Sequence, residues 1–236
     1  MHLSGGADFG YSRVTLRTSR YARKVSSGPA FKRLPRAVRE QQMLDAAVKV
    51  FSRRGFHAAS MDEIADDAGI SKPMVYAYLG TKEELFIACL HREGTRMMEA
   101  IAGAAAPDLP ADERLWRGLR AFFGFVGAHR DGWAVLYRQA RASQPFAAEL
   151  ATMRGRLVEV VAGMLDQALR VEGRQVGATD LDVVAYALVG ATESLADWLA
   201  DHPEADPEKT ATRMMNVAWM GAAQLLHGVT WHPPTT

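Results

Sequence analysis

Cysteine is nearly absent. Cys89 is the one cysteine in 236 residues, so an intrachain disulfide and a cysteine-based zinc site are both excluded. It reads as a small apolar residue buried on a helix. Long apolar runs are scarce too. VVAYALVGA and AFFGFVGA are about half the ~20 residues that span a bilayer. The first thirty residues hold no apolar segment of the kind a secretory signal needs. The expected location is therefore the cytoplasm, with no membrane partner. Runs of alternating β-branched residues, the mark of strands, are missing. So are a glycine-rich phosphate loop and a nucleophile elbow. Asp66 and Asp67 form an acidic pair, but no second cluster follows at ligand spacing. His57, His91, His129, His202 and His227 are scattered. An all-α enzyme is thus a remote alternative, and no cofactor or metal is expected.

Helical periodicity is what the chain does have. Apolar residues at 43, 44, 47, 48 and 51 mark one face of a helix over 36–54, which Gly55 should stop. Ser60 and Glu63 open a second helix, 61–68, as a capping-box pair, and Gly69 ends it. A third runs over 72–78 between Ser71 and Gly80. Thr81 and Glu84 form another capping box before a long helix, 82–105. Further helices are expected over 112–129, 131–142, 146–172, 180–200 and 208–229. The fold class is all-α.

Charge is unevenly spread. The net charge is +1, yet residues 1–42 carry nine Lys or Arg against two Asp or Glu. Residues 1–33 lack apolar periodicity and read as a disordered basic arm. Such an arm either lies along DNA or is an extension without function. The remaining chain carries an acidic excess, so a polyanion partner is expected near the N-terminus.

The stretch ISKPMVYAYLGTKEELF concentrates the chemistry. Two short helices joined by a turn containing Gly69 match a helix-turn-helix, too small to enclose a core of its own. Pro73 falls in the first turn of the second helix, where a missing N–H breaks no intrahelical bond. A helix entering the major groove by its N-terminal end presents its early residues to base edges. Here those are Lys72, Pro73, Met74 and Tyr76, following Ser71. Lys72 suits guanine O6 or N7, and Met74 a thymine methyl. The phenols of Tyr76 and Tyr78 suit phosphate oxygens. Lys82, at the N-terminus of the next helix, makes a second phosphate-binding end. Residues 36–82 hold seven basic and six acidic residues, so Arg36, Arg39 and the arm must supply much of the nonspecific attraction.

FSRRGFHAASMDEIADDAGISKPMVYAYLGTKEELF resembles the N-terminal domain of the TetR (tetracycline-repressor) family of bacterial transcriptional regulators. The match spans residues 36–90. It rests on Gly55-Phe56, Ser60, Ile64-Ala65, Ala68-Gly69, Ser71, Val75-Tyr76, Tyr78 and the Lys82-Glu83-x-Leu85 run. Leu79 departs from it, since an aromatic is usual there. The resemblance implies a homodimer that binds a palindromic operator. It also implies a divergent C-terminal domain that dimerises and takes a small apolar or amphipathic effector, which releases a repressor from DNA, and a bacterial location at the nucleoid. It places Ser60, Lys72, Pro73, Met74, Tyr76, Tyr78 and Lys82 against double-stranded DNA. The implied organisation is a DNA-binding domain over 34–81, an effector and dimer domain over 82–230, and a tail over 231–236.

Two stripes in the C-terminal half suit a twofold helical bundle. They are Leu181, Val184, Leu188, Leu195 and Trp198, and Ala211, Met215, Ala218, Ala222 and Leu225. The bland alternative is that both close the monomer core. Aromatic and methionine residues over 112–172 are core residues or pocket lining. The resemblance makes Trp116, Phe122, Phe125, Trp133, Tyr137, Met153 and Met164 pocket candidates, with Tyr186 beside them. Glu193 is the acid to watch, either facing a cationic or hydroxylated ligand or paired at a rim. A regulator with a closed core that answers to a protein partner is the other reading.

Overall fold

The computed structural model describes residues 35–144, 146–171 and 173–226, with side chains as far as residue 221. The basic arm and the C-terminal tail lie outside the described residues. Every described element is helical.

Helix α1 (Arg36–Ala58) buries Met43, Leu44, Ala47, Val48 and Phe51 on one face. It kinks at Gly55, whose φ of 74° is open to glycine and costly for other residues. Helix α2 (Met61–Ala68) starts at Ser60, whose hydroxyl accepts the Glu63 amide at 3.1 Å. Only that half of the expected capping box forms, because the Glu63 carboxylate turns to Arg54 at 3.2 Å. Gly69 closes α2 in the left-handed region, with φ 65°. Helix α3 (Lys72–Leu79) carries Pro73 in its first turn and anchors itself through fully buried Val75. Leu79 packs against the core as the residue type requires.

Helix α4 (Lys82–Ala104) begins with a complete capping box between Thr81 and Glu84. The Glu84 carboxylate folds beneath Gly80, where φ is 71° and a Cβ would collide with it. Helix α5 (Ala111–Ala128) follows Pro110 with Asp112 and Glu113 in its first turn, where the helix dipole favours acids. The expected helix over 131–142 is not regular. Helix α6 (Arg130–Trp133) passes into a π-helical turn, Ala134–Gln139, before α7 (Ala140–Ala142). Helices α8 (Phe146–Val171), α9 (Ala178–Asp201) and α10 (Pro207–Leu226) complete the chain. Asp206 caps α10 by accepting the Glu208 and Lys209 amides at 2.8 and 3.3 Å.

Helix α5 is central, packed by α4, α9 and α10, while α8 pairs with α9. The core is continuous between the helix-turn-helix end and the C-terminal helices. Its join is aromatic. Phe146, at the start of α8, lies 4.8 Å from the Phe56 ring and 4.3 Å from Phe86, and Phe51 meets Phe86 edge-on at 5.1 Å. Cys89 is fully buried nearby, and burial pushes its thiol up to about 12, so it is an inert packing residue.

Helix α9 exceeds the sequence expectation for apolar length. It is long and apolar enough to cross a bilayer by length and composition, with a mean hydropathy of 1.2 over 18 residues. Its contacts with α5 and α8 are those of a core helix whose second face is left open.

Phe146 is 1% exposed, so Phe146→Ala should destabilise the fold by ~3–5 kcal/mol. Urea unfolding measures this, and a loss below about 1 kcal/mol would mean the aromatic join carries little.

Candidate nucleic-acid interface and ligand cavity

Val75 pins one side of α3 and leaves Ser71, Lys72, Pro73, Met74 and Tyr76 exposed on the other. Ser71 stands at the N-cap without a side-chain capping bond. Lys72 instead meets Asp62 of α2 at 2.8 Å, and that hydrogen bond and charge raise its pKa. Both groups are open to water, so the pair is weak and exchangeable for a phosphate or a base edge. Tyr78 is half-buried, with the Arg36 guanidinium 5.2 Å from its ring centre. That contact brings the N-terminus of α1 to the C-terminal end of α3. Arg39 is half-buried one turn further along α1.

Lys82 has a structural role that its position alone did not suggest. Its ammonium donates to the His57 and Ala59 carbonyls at 3.2 Å each and sits 4.7 Å from the Phe56 ring centre. It therefore locks the end of α1 to the start of α4, beside the face that α3 presents.

The C-terminal helices line a cavity of about 960 Å³ between α4, α5, α8 and α9, bounded also by α10 and open to the surface beside Val160, Val171 and Val183. Its wall is largely aliphatic, the common make-up of a small-molecule site. Of the sequence candidates, Phe122, Met164 and Glu193 line it. Trp133, Tyr137 and Met153 line a small adjoining space of about 50 Å³, whose wall shares Met98, Phe122, Leu157 and Glu193 with the larger one.

Three candidates line neither space. Trp116 packs against the core, and Phe125 is buried and stacked on His129 at 4.4 Å. Tyr186 faces outward, half exposed, with Arg154 5.3 Å from its ring centre.

Glu193 is 8% exposed and accepts from both neighbours. The Tyr137 hydroxyl donates to Oε2 at 3.2 Å, and Arg154 Nε donates to the two oxygens at 3.1 and 2.9 Å. Arg141 donates to the Tyr137 hydroxyl at 3.0 Å. Burial, and then the nearby Glu193 charge, push the Tyr137 phenol above its usual range. The Glu193 hydrogen bond raises Arg154 likewise. The π-helical turn bears Tyr137, and π-turns inside helices recur at functional sites.

The stripe assigned to a dimer face divides differently. Leu181, Val184 and Leu188 form cavity wall, and Leu195 packs on the core. Ala211 and Ala218 are buried within the chain, and Met215 packs beside them. A residue already covered by its own core has no surface to offer a partner. The side chains of Ala222 and Leu225 lie outside the described residues. Trp198 is exposed, together with Val183, Tyr186, Val217 and Met220. Trp198 is thus the stripe residue left open, while the other exposed apolar residues of α9 and α10 are ones that spacing did not single out.

Sequence reasoning also missed Glu93. It is 1% exposed in mid-α4, held by Arg92 at 2.7 Å and Arg96 at 3.3 Å. Arg92 reaches on to Asp45 of α1 at 2.8 Å. A Cβ on Gly132 of α6 would press into the Glu93 carboxylate, so α4 and α6 meet closely there. Among the described residues, no group of three or more His, Cys, Asp or Glu is placed to hold a metal ion.

Two family models match the chain. Residues 43–89 match "Bacterial regulatory proteins, tetR family" and residues 111–221 match "Tetracyclin repressor-like, C-terminal domain". A TetR-like transcriptional regulator of Rhodococcus sp. RHA1 has a solved structure that is 50% identical, with a TM-score of 0.71 over 81% of this chain and 99% of that one. The chain belongs to the TetR family. As a TetR-family protein it is a transcriptional regulator with a DNA-binding helix-turn-helix. Among its TetR-family relatives is the transcriptional activator FasR of Mycolicibacterium smegmatis. FasR is 29% identical over 194 residues, which cover 82% of this chain and 87% of FasR. The fold is shared with FadR of Bacillus subtilis, solved in complex with stearoyl-CoA. That match is 19% identical, with a TM-score of 0.64 over 75% of this chain and 96% of FadR.

Replacing Lys72 with Ala should cost ~1–3 kcal/mol of specific DNA affinity and relax the preference at one base position. Arg36→Ala should weaken all sequences alike and lower the salt slope by ~1. Binding titrations at several salt concentrations separate the two. Identical profiles for both variants would contradict the division of roles.

Proposed function

We propose that this regulator is a ligand-responsive repressor, which binds a palindromic operator as a homodimer and is released by a long amphipathic effector. Residues 34–81 form the DNA-reading module, and residues 82–230 the effector and dimer module. Ser60, Ser71, Lys72, Pro73, Met74, Tyr76, Tyr78 and Lys82 contact DNA. Arg36, Arg39 and the basic arm add nonspecific attraction.

The observation that carries this reading is the apolar cavity of about 960 Å³ against α4, the helix that also starts beside α3. A cavity of that size favours a small-molecule effector over a closed core that answers to a protein. The stearoyl-CoA complex of FadR, a protein of the same fold, supports a long acyl compound as the effector. Exposed Val183, Tyr186 and Trp198 on α9, with Val217 and Met220 on α10, support burial of these faces against a second copy.

The mechanism is a population shift. Ligand favours one setting of α4, the two α3 helices of the dimer change spacing, and the half-sites no longer match both at once. A second reading, activation, is favoured by the FasR relative, which is an activator.

Selection of bound fragments from source DNA should enrich one palindrome, and light scattering should give a dimer of the 25.8 kDa chain. A monomer at micromolar concentration, or retention blind to sequence and labile to salt, would contradict the proposal.

A further inference from the structure

The cavity is long, and its two ends differ chemically. One end is framed by Asp112 and Arg114 of α5, Gln167 of α8, Arg174, and Asp180 of α9. The other holds Thr192 and Glu193 of α9. Thirteen residues of α9 separate Asp180 from Glu193, which is about 20 Å at ~1.5 Å per residue. That exceeds the length of one leaflet of acyl chain, about half of the ~30 Å hydrocarbon core of a bilayer. Only an extended chain longer than that, its head group included, therefore reaches from one polar end to the other.

The outer end is polar and of mixed charge, Asp112 and Asp180 standing with Arg114 and Arg174. Arg114 Nη1 donates to Gln167 at 3.1 Å and ties α5 to α8 there. The inner end offers acceptors. Glu193 receives two hydrogens, one from Arg154 Nε and one from the Tyr137 hydroxyl, whereas a carboxylate accepts about four. The Thr192 hydroxyl spends its proton on the Leu188 carbonyl at 2.7 Å, leaving its lone pairs. Arg154 and Tyr137 line the small adjoining space and are absent from the wall of the main cavity. Facing the main cavity, the inner end is thus an acceptor-only site in an aliphatic wall.

We propose that the cavity selects a long-chain amphiphile whose inner end carries a hydroxyl, donated to Glu193 and Thr192, with its polar head at the mixed-charge outer end. This rests on the cavity being the effector site. A methyl-ended chain would strip water from the spare Glu193 lone pairs and give nothing back. A chain ending in carboxylate would meet like charge. The preference for hydroxyl over methyl should be about 10- to 100-fold, the range set by one buried acceptor left unsatisfied.

The test is titration of the full chain with fatty acids from dodecanoic to octadecanoic acid, each beside its ω-hydroxy and ω-carboxy derivative. Intrinsic tryptophan fluorescence reports binding, since Trp219 lines the cavity and Trp133 the adjoining space. At the best chain length the ω-hydroxy acid should bind ~10- to 100-fold more tightly than the plain acid, and the ω-carboxy acid most weakly. Glu193→Gln keeps an acceptor for Tyr137 but adds a donor. It should shrink the hydroxyl preference and relieve the penalty on the ω-carboxy acid. Equal binding of plain and ω-hydroxy acids at every length would overturn this proposal and leave the effector cavity standing. No binding of any of these chains would overturn both.

Discussion

One helix has to satisfy two cores at once. The first turns of α4 bury Leu85, Phe86, Cys89 and Leu90 against the α1 side, and its later turns bring Met98 and Ile101 to the large cavity. From Leu85 to Ile101 is sixteen residues, about 24 Å at ~1.5 Å per residue. No ligand in the cavity would touch DNA, so coupling must run through packing, and this helix is one route. Between its two faces sits Glu93, a buried carboxylate held by Arg92 and Arg96. Such a pair is no strong source of stability, because desolvation offsets its attraction. It does fix geometry, since Arg92 also grips Asp45 of α1 and the carboxylate leaves no room for a side chain at Gly132.

A second route joins the cavity to the DNA-reading end. The π-helical turn holds Tyr137 against Glu193, and two residues later Gln139 lies against Gly55 at the kink of α1. Ser52 of α1 donates to Asp131 of α6 at 2.8 Å. Arg138, on the same turn, pairs with Asp197 and Asp201 at 2.9 and 2.7 Å, and Arg130 donates to the Leu199 and Ala200 carbonyls. The end of α9 is thereby tied to the segment that leans on α1. Ligand contacts along α9 bear on the same elements that position α2 and α3.

The helix-turn-helix was legible because its signals are local. Ser60, Gly69, Gly80 and the Thr81–Glu84 box each act within one turn of chain, and nothing distant overrides them. The all-α class followed from periodicity for the same reason. The faces of α9 were not legible. Both are apolar, so spacing could not tell Leu188, which lines the cavity, from Tyr186, which points out. The π-helical turn depends on what Tyr137 and Gln139 meet in three dimensions and leaves no periodic mark. Glu93 and Arg154 look like ordinary solvated charges in sequence, and only the packing of α4 against α6 buries the one and that of α8 against α9 brings the other to Glu193. Glu193 stood out because it interrupts an apolar helix.

The central claim is that cavity and DNA face share one equilibrium. The most direct measurement is a closed linkage cycle: operator affinity with and without a saturating cavity ligand, the tightest binder of the ω-hydroxy acid series, and that ligand's affinity with and without saturating operator. The account predicts that each ligand weakens the other by the same factor, about 5- to 150-fold for ordinary coupling. Effector that binds free and operator-bound protein equally well would contradict it.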